Sequence, residues 1–129
     1  MHFVGHYLLD GVLFAAIDSI WLTIVANKFY KREMKSLLAD KPSFGPAILF
    51  YLLAILGQVV FILNPALGAH SFSYAVGHGA LFGLVSYATY DLTNASTLKG
   101  WSNKVTVIDM IWGTVLTTVV TSIAYAILR

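Results

Sequence analysis

The sequence contains no cysteine, which excludes disulfides and thiolate metal sites. It is also poor in charge: Asp, Glu, Lys and Arg make up 11% of 129 residues, less than half the share usual in globular domains. Proline occurs three times, at Pro42, Pro46 and Pro65, so long stretches run without a helix breaker. A net charge of +2 is too small for a nucleic-acid surface, and no nucleic-acid partner is expected. There is no glycine-rich phosphate loop, no nucleophile elbow and no paired-histidine metal helix. No cofactor and no metal are therefore expected. The first residues, Met1 to His6, lack the basic region and small-residue cleavage site of a signal peptide, so the first helix should be retained.

What is present is apolar. Hydrophobic residues form 58% of the chain, more than one small domain could hide from water, so its solvent should be lipid and membrane lipids its first partners. One domain, 1–129, is expected, with apolar spans at about 3–27, 46–64, 72–90 and 105–128. The shortest span holds 19 residues. That is about 28 Å of helix, close to the roughly 30 Å hydrocarbon core of a bilayer. Helices satisfy their own backbone hydrogen bonds in lipid, and the short alternating segments of a barrel are missing. The expected fold is an all-α integral membrane protein, four transmembrane helices in an up-down bundle.

Between the first two helices, Phe29, Tyr30, Met34, Leu37 and Leu38 fall near helical spacing among Lys28, Lys31, Arg32 and Lys35. This pattern predicts a basic amphipathic segment on an anionic membrane surface, with a solvated loop as the alternative. Lys28, Lys31, Arg32, Lys35 and Lys41 lie in the first connection, Lys99 and Lys104 in the third, and only Arg129 elsewhere. The positive-inside rule then puts both connections in the cytoplasm and both termini outside, in a multi-pass membrane protein.

Two helical stripes are readable. Ala75, Gly79, Gly83 and Tyr87 recur every four residues, a small-residue packing face that leads into Asp91. In the last span Asp109, Gly113, Leu116, Thr117, Val120 and Ala124 share about one-third of the wheel. Thr114, Thr118 and Thr121 fall elsewhere and can bond back to their own helix. On the first helix Tyr7, Asp10, Phe14, Asp18 and Trp21 share a face that should turn inward.

The candidate site residues are the acids in or beside these spans and the rings near them. Asp18 and Asp109 stand in matching contexts, Ala16-Ile-Asp18-Ser-Ile-Trp21 and Val107-Ile-Asp109-Met-Ile-Trp112, a relic of duplication or a coincidence. A lone ionised carboxylate in hydrocarbon costs several kcal/mol, so it protonates or finds a partner. One such Asp reads equally as a bundle lock that accepts bonds from Trp, Tyr or Thr. Four of them, Asp10, Asp18, Asp91 and Asp109, favour a functional site. Tyr87, Tyr90, Asn94, Trp21, Trp101 and Trp112 surround them, and acids beside aromatic faces suit a cation. An interfacial aromatic belt explains Tyr90 and Trp101 but not the deeper Trp21 and Trp112. His2 and His6 continue the Asp10 stripe, and His70 and His78 lie at the same end. They are compatible with metal binding or proton passage, but no strict ligand motif links them.

The run Tyr87-Ala-Thr-Tyr90-Asp91-Leu-Thr93-Asn94, with Lys99-Gly100-Trp101 and Asp109-x-x-Trp112-Gly113-Thr114, resembles a bacterial family of predicted membrane proteins, domain of unknown function 2177. The likeness extends to Asp18, Trp21, Phe50-Tyr51 and Asn64-Pro65-Ala66. It implies a four-helix inner-membrane protein of about this length and supplies no catalytic residue. Small four-helix multidrug transporters share only size and an acidic residue in the first helix.

Three functions are in contention. One is a proton-coupled transporter of a small cationic or amphiphilic substrate, using Asp18 with Asp109, in which four short helices would require a homodimer. The second is an enzyme, or enzyme partner, acting on lipid at the cytoplasmic interface through Asp91, Asn94 and Asp109, with Tyr90 or Tyr87 as acid. The third is a structural subunit of a membrane complex.

Overall fold

The computed structural model describes residues 2–33 and 44–129, and every regular element in those segments is helical. The first rod is α1 (His2–Ile20), a widened π-helical turn (Trp21–Ala26) and α2 (Asn27–Glu33), run together without a break. The second is α3 (Phe44–Gln58), another π turn (Val59–Leu63) and α4 (Asn64–Gly68). The third and fourth rods are α5 (Phe72–Thr97) and α6 (Asn103–Leu128). The segments Phe3–Ile24, Gly45–Gly68 and Asn103–Leu128 are each long and apolar enough to cross a membrane. The helix α5 is less apolar but lies beside α6 from Ala75 to Asp91, so the two share one depth range.

Neighbouring rods run in opposite directions. His6 meets Asn64, whereas Asp18, three turns further on, meets Tyr51, so the first two rods are antiparallel. Asp18 also meets Trp112, and Gly79, Gly83 and Gly113 set α5 against α6 in the opposite sense. The four-helix up-down bundle expected from the apolar spans is the architecture found. The first rod continues as helix to Glu33, where Ser102 donates a 3.3 Å bond to the Glu33 carboxylate. The rest of the amphipathic segment, from Met34 to Lys41, lies outside the described residues.

The α5–α6 seam is built on small side chains. Ala75, Gly79, Gly83 and Asp91 are the buried residues of α5, the stripe that the four-residue repeat predicts. A Cβ at Gly79 would sit 3.2 Å from the Thr118 Cα, and one at Gly83 would sit 2.9 Å from Thr117 Oγ1. These glycines let two backbones approach as small-xxx-small packing requires. Thr114, Thr118 and Thr121 bond back to the carbonyls of Met110, Thr114 and Thr117. Thr121 differs from the expectation in one respect: it is fully buried and also reaches the Ala75 carbonyl at 3.4 Å, so it belongs to the seam. Phe14, Leu63, Leu116 and Val120 fill the centre of the bundle.

The last connection positions the site. Gly100 takes a left-handed φ of 77°, which favours glycine, and Ser102 caps α6 by accepting from the Val105 amide at 3.2 Å. Trp101 donates to Thr106 Oγ1 at 2.9 Å and packs edge-on against Tyr90. The Lys99-Gly100-Trp101 motif is thus a turn clamped between α5 and α6. Lys28, Arg32, Lys99 and Lys104 all belong to this end of the bundle, called the basic end below; His6 and Asn64 mark the other.

Candidate functional site

Asp10, Phe14 and Asp18 lie one turn apart on α1 and are all buried, so the face that holds them is the one turned inward. Asp18, near the basic end, is held from two sides. Tyr51 donates its hydroxyl to Oδ2 at 2.7 Å, and Trp112 donates its indole N–H to Oδ1 at 3.0 Å. One carboxylate therefore ties α1 to α3 and α6. Trp112 also stacks face to face on Trp21, with ring centres 4.4 Å apart and planes within 7°. The two Asp-x-x-Trp motifs interlock in this way, since the acid of the first takes the indole of the second.

The π turn that begins at Trp21 contributes to this geometry. Widening the helix by one residue there alters the rotation at which Trp21 leaves the α1 face, and π turns are common at functional sites. The Trp21 indole N–H is buried and has no acceptor.

Next to the stacked indoles lies a cleft of about 360 Å³, lined by Asp18, Trp21, Phe50, Tyr51, Tyr87, Tyr90, Asp109 and Trp112, with Leu22 and Ala47. A second lobe of about 530 Å³ shares Ala47, Phe50, Tyr87, Tyr90 and Asp109 and adds Pro46 and Ser86. Ala47, Phe50 and Tyr90 are exposed on the outer surface of the bundle, so this lobe opens sideways between α3 and α5. No Lys or Arg among the described residues lines either lobe.

Six of the eight sequence-predicted site residues therefore line one space: Asp18, Trp21, Tyr87, Tyr90, Asp109 and Trp112. Asp91 sits behind the wall. It is fully buried, no N–H or O–H donor reaches either oxygen, and the Asp109 carboxyl is its close neighbour across the α5–α6 seam. Asn94, one turn beyond Tyr90, is half-buried beside the Tyr90 hydroxyl and does not line the cleft.

Two residues matter that sequence reasoning passed over. Tyr51 supplies the shorter of the two bonds to Asp18, and Gln58 is buried to 1% with its carbonyl oxygen unpartnered. They lie seven residues apart in an otherwise apolar span, and a polar pair at that spacing on one helix face was the available signal.

The histidines are dispersed. His6 bonds Asn64 at 2.7 Å, His78 reaches the Tyr74 carbonyl and stacks on that ring, and His70 occupies an exposed turn with a φ of 51°. Among the described residues no three His, Asp or Glu side chains gather as a metal cage.

No curated protein and no solved structure matches the chain. The family model described as predicted membrane protein, DUF2177, matches residues 3–126. That range takes in every residue of the cleft and all four rods apart from their outermost residues His2, Ile127 and Leu128, and the chain belongs to this family.

Proposed function

We propose that the cleft binds an amphiphilic or lipophilic cation that enters from the bilayer, and that the Asp91–Asp109 pair exchanges a proton for it. The protein would then be a small proton-coupled transporter. The observation that carries this reading is the contact between two acids in a space walled by aromatic rings and lacking any cationic side chain among the described residues. Two carboxyls in contact hold one proton readily and two negative charges only at high cost. A cation that displaces the proton restores balance, and ring faces such as the Trp21–Trp112 stack attract it further. Asp18 plays a different part in this reading. With both oxygens taken, it braces the aromatic wall, and Asp109 is the acid offered to the ligand.

The sideways lobe supports entry from lipid, because an amphiphile can keep its tail between α3 and α5 while its charged group turns in toward Asp109. Seven of the eight basic residues fall in the first and third connections, which supports an inner-membrane orientation with the cleft toward the cytoplasm and both termini outside. Among the described residues the cleft opens near one end of the bundle and does not run through it, so the transporting unit in this reading is a homodimer.

The test uses tetraphenylphosphonium as the probe. Protein reconstituted in liposomes should accumulate it when a pH gradient is imposed, and Asp109→Asn should abolish accumulation while the protein stays folded. Uptake equal to that of protein-free liposomes, or uptake unchanged by Asp109→Asn, overturns the reading.

The same lobe favours one alternative, action on a lipid at the interface, since Ser86, Tyr90 and Asp109 meet there near the basic end. Lipid extracts of a deletion strain and its parent separate the two: an altered lipid profile with no probe uptake selects the lipid reading.

A further inference from the structure

Asp10 plays no part in the cleft, yet it is a buried acid. It is fully buried, and neither of its oxygens has a hydrogen-bond partner. Gln58 is buried to 1%, and its carbonyl oxygen is also unpartnered. Helix register brings the two to one depth. Tyr51 and Ile55 both meet α1, at Asp18 and beside Gly11, and Gln58 continues their face at the i, i+4, i+7 spacing. His6 meets Asn64 at the far side, so Asp10 falls between these contacts, opposite the segment that begins at Gln58. The second π turn starts at Val59, directly after Gln58. It is a local widening of the kind found where a helix is shaped around a site.

The hydrogen-bonding chemistry is complementary. An ionised Asp10 offers only acceptors, where no donor reaches it, and a bare carboxylate inside a membrane costs several kcal/mol. A protonated Asp10 carries one O–H donor, and Gln58, whose amide N–H groups do not reach Asp10, presents a buried acceptor that lacks one. Tyr7, one turn away on the same face of α1, donates its hydroxyl to the Leu52 carbonyl at 3.0 Å, and the other titratable groups lie further off. His6 is one turn toward the histidine end and Asp18 two turns toward the basic end. Tyr125 on α6 is near the histidine end, and His78 on α5 is exposed and bonded to a carbonyl. The described part of the second rod adds only Tyr51, already bonded to Asp18. Between Asp10 and the cleft stands Phe14, 1% exposed and packed edge-on against Tyr51 with ring centres 5.3 Å apart.

We propose that Asp10 and Gln58 form a second proton-binding site, separated from the cleft by Phe14 and facing the His6–Asn64 end of the bundle. The site exists independently of the transport reading. Its role, the proton stop on the side opposite the cleft, rests on that reading.

The test is infrared spectroscopy of the purified protein in nanodiscs, in an Asp91→Asn, Asp109→Asn background that removes the cleft pair. A protonated carboxyl gives a C=O band distinct from that of a carboxylate and shifted in heavy water. The band should be present, be lost in Asp10→Asn, and move in Asp10→Glu and in Gln58→Leu. Absence of the band, or its persistence undiminished in Asp10→Asn, overturns the proposal. If Asp10→Asn does not fold, Asp10→Glu decides: a moved band supports the site and an unmoved one overturns it. A band that falls when sodium replaces choline in the buffer also overturns it, by assigning the site to a metal cation. The measurement needs no substrate, so its failure leaves the cleft reading intact, and failed uptake leaves the band intact. In liposomes with otherwise native sequence, Asp10→Asn should cut gradient-driven tetraphenylphosphonium uptake by about a hundredfold, the low end of what one proton-transfer group contributes, while equilibrium binding of the probe changes less than about twofold.

Discussion

Trp112 donates its indole N–H to Asp18 across 3.0 Å, although the two residues are 94 positions apart in the chain. Trp112→Phe should keep a ring for Trp21 to stack on and remove only the donor. The expected loss is about 1–2 kcal/mol of unfolding free energy in a denaturing-detergent titration, the upper range for an interhelical bond in a membrane. Asp18→Ala should cost more, because it also strands the Tyr51 hydroxyl. A coupling energy near zero between Asp18→Ala and Trp112→Phe would show that the bond contributes nothing.

The acid pair gives a pH dependence with a definite sign. If the cation exchanges with a proton held at this pair, protons compete with it, so tetraphenylphosphonium affinity should fall as pH falls. As pH rises that competition weakens, and affinity should climb to a plateau. Binding on the rising part should release a proton, which calorimetry reads as a heat that depends on the ionisation enthalpy of the buffer. Heats that do not vary with the buffer would remove proton exchange from the account.

The two acids should differ when changed singly. Asp109→Asn removes the carboxyl that lines the cleft and should weaken probe binding by about 2 kcal/mol or more, roughly thirtyfold. Asp91→Asn leaves the carboxyl that lines the cleft in place, so binding should persist. Equal loss in both variants would mean that the pair acts only as scaffold.

The α5–α6 seam predicts opposite outcomes for two glycines. A Cβ at Gly113 would lie 2.7 Å from Tyr87 Cδ2, so Gly113→Ala should displace the Tyr87 ring and cost about 1–3 kcal/mol. At Gly77 nothing lies within 4 Å of the new Cβ, and Gly77→Ala should stabilise α5 by up to about 1 kcal/mol. Thermal unfolding in detergent checks both, and a neutral Gly113→Ala would mean that the seam has room to shift.

A chain without cysteine permits a clean test of orientation. In inside-out vesicles an impermeant thiol reagent should label Lys99→Cys and leave Ser71→Cys unlabelled, and in intact spheroplasts the pattern should reverse. Labelling of both from one side would contradict the charge-derived arrangement.

The helical rods were legible because lipid leaves a chain few ways to satisfy its backbone, and apolar length reports directly on spans such as Phe3–Ile24. The glycine stripe of α5 was legible because close approach of two backbones requires small residues at a fixed period. What escaped depends on rotation between rods. Spacing places Trp21 on the turn after Asp18, but only the crossing of α1 with α6 decides that Asp18 takes the indole of Trp112 instead. The π turns at Trp21–Ala26 and Val59–Leu63 escaped for a related reason, since Trp-Leu-Thr-Ile-Val-Ala and Val-Val-Phe-Ile-Leu hold no glycine or proline to announce them. The contact of Asp91 with Asp109 was foreshadowed only by their placement near one end of adjacent helices.

The chain has three tryptophans: Trp21 and Trp112 form the stack at the cleft, and Trp101 lies edge-on to Tyr90, which lines it. Its native ultraviolet emission therefore comes almost wholly from one corner of the molecule. A quencher or ligand arriving there would dim the signal of the unlabelled protein, so occupancy of the site can be followed optically with no dye attached.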